Sequence, residues 1–198
     1  MNILKNILSV IGGLVLVGAI VSFFAFNLGD KISKAGDLDP KAMSLYMEMA
    51  DGVLNTGDAA ATMVYTVKVD EDITKDEVID SLKTVAMDNN MLVVSDTIMF
   101  RSGEKDVHGN TTRHVEILAV CNKQIARQFI DYSEAFGAFM PCRVILTEDK
   151  EGNLWLSTLK LDLMIAGGKP LTPEMLAMAE KVRDTMYSMV DKAAVGDF

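Results

Sequence analysis

The longest apolar run of the chain lies close to its N-terminus, from Ile7 to Leu28, and it contains no charged residue. As a helix that rises about 1.5 Å per residue, it would span about 33 Å, slightly more than the roughly 30 Å hydrocarbon core of a bilayer. The pattern therefore predicts a transmembrane anchor over residues 1–28. A cleaved secretory signal is one alternative, but its apolar core is usually about 7–15 residues long, and Phe23 to Asn27 offers no small-residue cleavage site. A buried core helix is another, but the run is apolar on every side.

The residues that flank this run give two opposing indications of orientation. Lys5 and the amino terminus precede the run, whereas Lys31, Lys34 and Lys41 come after it among acidic residues. Counted over Lys and Arg alone, this distribution places the C-terminal domain in the cytoplasm. A short N-terminus directly before an apolar run is instead typical of a signal-anchor, which exports the C-terminal domain. We therefore predict a single-pass inner-membrane protein with its soluble domain in the periplasm.

The segment 29–58 predicts a juxtamembrane linker followed by an amphipathic helix. Its first part is polar up to Asp39, which together with Pro40 favours the start of a helix. Gly57 is expected to end that helix. Apolar residues recur at helical spacing along one face: Met43, Tyr46, Met47, Ala50, Val53 and Leu54.

Residues 59–198 show the alternation of an α+β domain. Period-two patterns predict strands over residues 63–69, 91–100, 111–120, 143–147 and 154–161. Helical patterns begin after the capping box from Thr74 to Glu77, after an N-cap at Cys121 or Asn122, and after the pair Thr172-Pro173. The predicted order is strand, helix, two strands, short helix, two strands and long helix. This order favours one curved, mostly antiparallel sheet covered by helices.

Composition and charge limit the classes of partner. The 198-residue chain is 49% hydrophobic, yet its mean hydropathy is only +0.21, which excludes a polytopic membrane protein. Its formal net charge is −9 and its sequence pI is about 4.7, so nucleic acid is not expected as a partner. An acidic surface suits solubility or docking to a basic partner.

The common catalytic motifs are missing from the sequence. It contains no dinucleotide-binding glycine motif, P-loop, nucleophile elbow, zinc-protease motif or Cys-x-x-Cys pair. A hydrolytic triad is hard to assemble because His108 and His114 are the only histidines. We expect His108 to be solvated in a polar loop and His114 to be a hydrogen-bonded structural residue on a strand. An enzyme acting alone is therefore not the favoured class.

Both cysteines lie beside predicted strand ends, where scaffolds often present functional groups. Arg143 next to Cys142, and a helix N-terminus next to Cys121, would each lower a thiol pKa. Neighbouring strands would also bring the sulfurs close to disulfide distance. Three interpretations stay open: packed small hydrophobes or one structural disulfide, a redox or sulfur-carrying thiol pair, and a copper or haem site assisted by Met140 or His114.

The two cysteine segments also carry a resemblance to a known family. The residues concerned are Cys121, Asn122, Ala126, Pro141, Cys142, Arg143 and Val144. In this order and spacing the chain resembles the domain of unknown function 302, over roughly residues 59–190. It departs from the family at Lys123, where a proline is often found. The resemblance implies a compact fold related to the TATA-binding-protein-like α+β class, often dimeric, with no settled biochemical function. Versions with an N-terminal membrane anchor occur in bacteria, some of them with sulfur-based metabolism.

Two functional hypotheses arise from these observations. In the first, the protein is a membrane-tethered, non-catalytic binding or redox and sulfur-handling module, with a site at Cys121, Asn122, Pro141, Cys142 and Arg143. In the second, it is an accessory or structural single-span subunit of a larger membrane complex, and the cysteines are structural. The expected partners are the bilayer, through residues 7–28, and either further copies of the chain or other subunits. The sequence identifies no cofactor.

Overall fold

A computed structural model describes residues 2–197, with side chains from Lys5 onward. Met1 and Phe198, the outer ends of the predicted segments 1–28 and 59–198, lie outside the described residues. The chain begins with helix α1 (Asn2–Ala25). Its stretch Lys5–Ala25 has a mean hydropathy of 2.6, and none of it is buried. Among the described helices, this one alone is long and apolar enough to cross a membrane, a property that signal sequences share.

The predicted polar linker is partly helical. Asn27 adopts a left-handed conformation with φ of 52°, which separates α1 from helix α2 (Leu28–Ala35). An exposed ion pair of 2.8 Å joins Asp30 to Lys34 one turn later. Such a pair supports a helix where composition alone suggested an irregular segment.

Helix α3 (Ala42–Thr56) begins two residues later than predicted. The reason is a turn, in which the Asp39 carboxylate accepts the backbone N–H of Lys41 at 2.8 Å. Gly57, with φ of 68°, ends α3 as predicted. A short helix that the sequence pattern did not predict, α4 (Ala59–Met63), then precedes the first strand.

The domain is built on one sheet of five antiparallel strands, which confirms the predicted α+β class. The strands are β1 (Val64–Lys68), β2 (Leu92–Phe100), β3 (Val115–Cys121), β4 (Cys142–Glu148) and β5 (Leu154–Leu159). They lie in the order β1-β5-β4-β3-β2. Strand β3 starts four residues later than predicted, because Thr112 closes the preceding loop by donating to the Arg101 carbonyl at 2.6 Å.

Four helices and one 3-10 helix complete the domain. They are α5 (Lys75–Asp88), α6 (Lys123–Tyr132), the 3-10 helix Glu134–Phe139, α7 (Asp162–Ala166) and α8 (Pro173–Ala194). The capping box of Thr74 and Glu77 is confirmed at the start of α5. The sequence pattern did not predict the 3-10 helix or α7, and β5 ends two residues before the predicted end of its strand.

The core lies between α5, α8 and one face of the sheet, which we call the covered face. Its fully buried members include Leu82, Leu118, Val120, Leu146, Leu156, Met186 and Met189. A second cluster forms around Phe129, Ile165, Ala166 and Ala179, where α6, α7 and α8 meet. The inward face of α8 thus contributes two fully buried methionines, Met186 and Met189. No described helix packs broadly on the opposite side of the sheet, which we call the open face.

Candidate functional site

Asn122 performs the structural role that its position predicted. It is the N-cap of α6, and its side-chain oxygen accepts the backbone N–H groups of Gln124 and Ile125, each at 3.1 Å. Its amide nitrogen donates to the carbonyl oxygen of Asn90 at 3.3 Å. The residue therefore fixes where β3 ends and α6 begins. Pro141, after a cis peptide bond, leads directly into β4.

The two cysteines are free and do not form a pair. Strands β3 and β4 are neighbours as expected, but Val120 stands opposite Cys142, whereas Cys121 pairs with Leu92 on β2. Successive side chains of a strand point to opposite faces of the sheet. Cys142 therefore lies on the covered face with Val120, and Cys121 lies on the open face. The disulfide interpretation is wrong for this structure.

The predicted lowering of the thiol pKa values is also wrong. Burial raises the pKa of Cys142 to about 11, the nearby Cys121 adds to this effect, and the charge of Arg143 opposes it only weakly. Burial likewise raises the pKa of Cys121, against the opposing charge of Lys123. Desolvation disfavours the thiolate more strongly than either neighbouring cation favours it. Both thiols are thus poor nucleophiles at neutral pH.

Cys142 borders a small apolar cavity. The cavity has a volume of about 80 Å³, and its lining includes Phe129, Phe136, Met140, Cys142, Ile165 and Val182. Met140 thus packs in an apolar cluster, whereas His114 lines a different cleft. The part of the chain that the structure describes holds no group of three His, Cys, Asp or Glu side chains placed to bind a metal ion. The described residues give no support to a copper or haem site.

Arg143 lies on the open face, next to the two cysteine segments. It pairs across the sheet with Ala119. Because Leu118 and Val120 on either side of Ala119 point into the core, Ala119 and Arg143 point to the opposite, open face. The Arg143 side chain is exposed and makes no hydrogen bond or ion pair with any described residue. It lines a groove of about 340 Å³ whose apolar walls include Val64, Ile117, Phe139, Ile145 and Leu159. An unpaired guanidinium therefore lies within an apolar surface.

The apolar character of the open face extends to the edge of the sheet. Strand β2 is an edge strand, and the two ends of its open face carry Leu92 and Phe100, which are 48% and 46% exposed, with Ser95 and Thr97 between them. Phe139, at the end of the 3-10 helix, is 46% exposed beside the groove. We call the groove together with this apolar margin the docking face.

A second candidate site lies on the covered face, at the end of the sheet near the loop from β2 to β3. It is a cleft of about 510 Å³ between α5 and strands β2 and β3, and we call it the polar cleft. His114 and Glu116 are only 5% and 7% exposed and line it. Their side chains are 2.9 Å apart, between His114 Nε2 and Glu116 Oε2.

The hydrogen-bond chain continues from Glu116 towards α5. Burial is the main cause that raises the pKa of Glu116, and a hydrogen bond with the Asp96 carboxyl adds to it, while His114 acts in the opposite direction. The ammonium of Lys83 then lies 2.7 Å from Asp96 Oδ2, and this hydrogen bond raises the lysine pKa. Four polar side chains from α5, β2 and the start of β3 therefore share one network.

The other end of the network is centred on Glu148. Its carboxylate accepts hydrogen bonds from the Ser102 hydroxyl and from the backbone N–H of His114, the latter at 2.9 Å. The ammonium of Lys75 lies 3.5 Å from the same carboxylate and donates to Ser102 Oγ at 2.7 Å. Ser102 is the main cause that lowers the pKa of Glu148.

The two histidines behave as the sequence predicted, with one difference. His114 is hydrogen-bonded, but it lies one residue before β3 and not on a strand. His108 is exposed in the loop from β2 to β3. Sequence reasoning missed the polar cleft because its members are dispersed along the chain. The available signal was Glu116, a charged residue at an inward position of a strand whose other inward positions are apolar.

Comparisons with known proteins identify the family. A crystal structure titled "uncharacterized conserved protein DUF302 from Bacillus stearothermophilus" has a similar fold, with a TM-score of 0.51 and 19% sequence identity. The similarity covers 66% of this chain and 98% of that one. No curated protein matches the chain. The profile of the family described as "Domain of unknown function DUF302" matches residues 65–193, well over half of the sequence. The chain therefore belongs to the DUF302 family.

Proposed function

We propose that the protein is a membrane-tethered, non-catalytic accessory module that binds another protein through its docking face. The observation that carries this proposal is an apolar sheet face that no described helix covers and that surrounds the unpaired Arg143. The thiols give less support to a redox or sulfur-handling module, because burial raises the pKa of both and so disfavours the reactive thiolate.

The strand pattern supports an occupied open face. An antiparallel sheet with one face in water usually alternates apolar and polar residues. Strand β3 does not alternate, because Val115, Ile117 and Ala119 on the open face are as apolar as Leu118 and Val120 on the covered face. A large exposed apolar patch on a soluble domain commonly marks an interaction site.

The partner must supply an apolar surface with an acidic side chain opposite Arg143. Burying the guanidinium without a counter-charge would be costly, whereas a bidentate pair with a carboxylate is favourable and specific. A second copy of this chain fits less well. A twofold axis through the groove would bring Arg143 against its own copy, and each chain has a net charge of −9. We therefore infer a different protein as the occupant.

Helix α1 supplies the tether in this proposal. No described residue covers its apolar surface, as expected of a helix that faces lipid. We keep the predicted periplasmic side for the domain. Mass spectrometry of the intact mature protein checks the anchor, because a cleaved signal would remove the first part of the chain. A reporter fused to the C-terminus tests the side of the membrane.

Site-directed photo-crosslinking tests the docking face. A photoreactive amino acid is placed at Ile145 in the full chain, and a matched one at the exposed Lys181 on the outer side of α8. We expect a cross-linked partner from position 145, absent from position 181 and lost in Arg143→Glu. An acidic-to-arginine change in that partner should restore the product with Arg143→Glu. Cross-links only to a second copy of the chain, or equal products from both positions, would overturn the proposal.

A further inference from the structure

The polar cleft is independent of the docking face, because it lies on the covered side of the sheet. It carries more acidic than basic side chains. The basic residues of its lining are Lys75, Lys83 and Arg101. The acidic residues are Asp76, Asp80, Asp96 and Glu116. Its volume of about 510 Å³ lies within the range of small-molecule sites.

The ion pairs within the cleft use two of its three cations and leave Arg101 as the third, while Asp80 acts on Lys83 only through space, without an ion pair. Lys83 is held by Asp96, and Lys75 by Glu148 just behind the lining. Asp76 and Asp80 stand one turn apart on α5, and neither carboxylate makes a hydrogen bond or ion pair with a described residue. The excess negative charge is therefore presented to the open space of the cleft.

His114 adds an independent indication of a ligand. Its Nε2 faces Glu116, whereas Nδ1 has no hydrogen-bond partner among the described residues. No side-chain nitrogen or oxygen of the described chain is both fully buried and unpartnered. Because His114 is only 5% exposed and lines the cleft, we infer that this second nitrogen faces the space within the cleft.

The carboxylate beside His114 fixes the chemistry that this nitrogen offers. Glu116 Oε2 can accept the Nε2 proton whether Glu116 or Asp96 holds the proton of their carboxyl–carboxyl hydrogen bond, and Nδ1 then carries a lone pair as a hydrogen-bond acceptor. The cleft thus presents acceptors from two directions: Asp80 on α5, and His114 with the Glu116 carboxylate at the start of β3. A primary ammonium group has three N–H donors and one positive charge, which match these acceptors and the excess charge.

We propose that the polar cleft binds a small organic molecule through a primary ammonium group. Asp80 provides the counter-charge, with Asp76 one turn away on α5, and His114 Nδ1 accepts one hydrogen bond. An inorganic cation is a poorer match, since the described residues hold no group of three His, Cys, Asp or Glu side chains in metal-binding geometry. A free carboxylate compound is also a poor match, because the lining already has an excess of acidic groups.

Ligand-observed NMR on the full chain in neutral detergent tests the proposal. The probes are butylammonium, tetramethylammonium, butyrate and butanol, each at up to about 10 mM, since so small a ligand binds weakly. We expect butylammonium to bind, and tetramethylammonium to bind at least about tenfold more weakly because it carries the charge but donates no hydrogen bond. Butyrate and butanol should not bind.

Variants connect the binding to the cleft. Asp80→Asn should weaken butylammonium binding at least about tenfold, and its exposed position makes misfolding an inadequate explanation. Asp88→Asn is the matched control, with the same charge change on the same helix outside the cleft lining. Glu116→Gln should also abolish binding, with thermal unfolding as its folding check. The proposal is overturned by absence of butylammonium binding, by equal binding of tetramethylammonium, by undiminished binding to Asp80→Asn, or by competition from Mg²⁺ or Ca²⁺.

Discussion

The covered and open faces of the sheet depart from the usual burial pattern in opposite directions. On the covered face, Glu116 is 7% exposed at a position where its strand neighbours are core residues. On the open face, Ile117 and Ile145 are apolar residues that line a groove open to solvent. A consistent pattern of buried apolar and exposed polar residues specifies a fold, and local departures from that pattern tend to mark functional positions. The difference therefore points to two sites, one for a polar ligand and one for an apolar partner.

Alanine variants of two adjacent residues on β3 measure the difference in burial between the covered and open faces. Leu118→Ala should cost about 2–5 kcal/mol of unfolding free energy because it empties a fully buried position. Ile117→Ala, on the open face, should cost about 1 kcal/mol, because that residue is only partly buried in the isolated chain. Urea unfolding of the full chain in detergent gives both values. Equal costs would mean that the open face is already packed within one chain.

Thiol reactivity extends the same contrast to the cysteines. With its pKa near 11, Cys142 should react with iodoacetamide at neutral pH roughly a hundredfold more slowly than an ordinary thiol. Cys121, on the open face and less deeply buried, should react faster than Cys142. Mass spectrometry of partly alkylated protein separates the two sites, with urea-unfolded protein as the reference. Rapid labelling of folded Cys142 would restore the thiol hypothesis.

The pH dependence of stability tests the buried carboxyl of the covered face. Because folding raises the pKa of Glu116 above its ordinary value of 4.5, the folded state holds this proton more tightly than the unfolded chain. Its contribution is therefore present below 4.5 and is lost as the pH rises from there through the folded pKa. Each pKa unit of difference between the folded and unfolded states corresponds to about 1.4 kcal/mol of unfolding free energy. The unfolding free energy, measured at several pH values, should decline more steeply with rising pH in the wild type than in Glu116→Gln. Parallel curves would contradict a raised pKa for Glu116 in the folded state.

The smallest expected changes in stability distinguish the structural role of Asn122 from the proposed binding role of Arg143. Asn122→Ala should lower stability by about 1 kcal/mol because the α6 cap is lost, and Asn122→Asp should restore most of it. Arg143→Ala should leave thermal stability unchanged, since its side chain has no partner among the described residues, while it removes the predicted cross-link. If Arg143→Ala lost as much stability as Asn122→Ala, the arginine would have a structural role and not a binding role.

The sequence predicted the fold better than the site, for identifiable physical reasons. Local signals predicted the capping box at Thr74, an N-cap at Cys121 or Asn122 and the glycine stop at Gly57; all three occur, with Asn122 as the cap. The chemistry of the cysteines failed because a thiol pKa depends on burial, which no neighbouring residue in the sequence reveals. Likewise, the polar cleft brings together residues from Lys75 to Glu148 that only strand register places side by side.

The attachment of residues 39–46 to the domain has a consequence for where a partner can be sought. The backbone N–H of Asp39 donates to the Gly168 carbonyl at 2.8 Å, and the Tyr46 hydroxyl donates to that of Gly167 at 2.9 Å. Only the short stretch that contains α2 separates this anchorage from α1, and it can extend by about 30 Å. With α1 in a bilayer, the domain stays within one protein diameter of the lipid surface. Its search for a partner is then two-dimensional, so even a weak docking face would suffice at the local concentration that a membrane imposes.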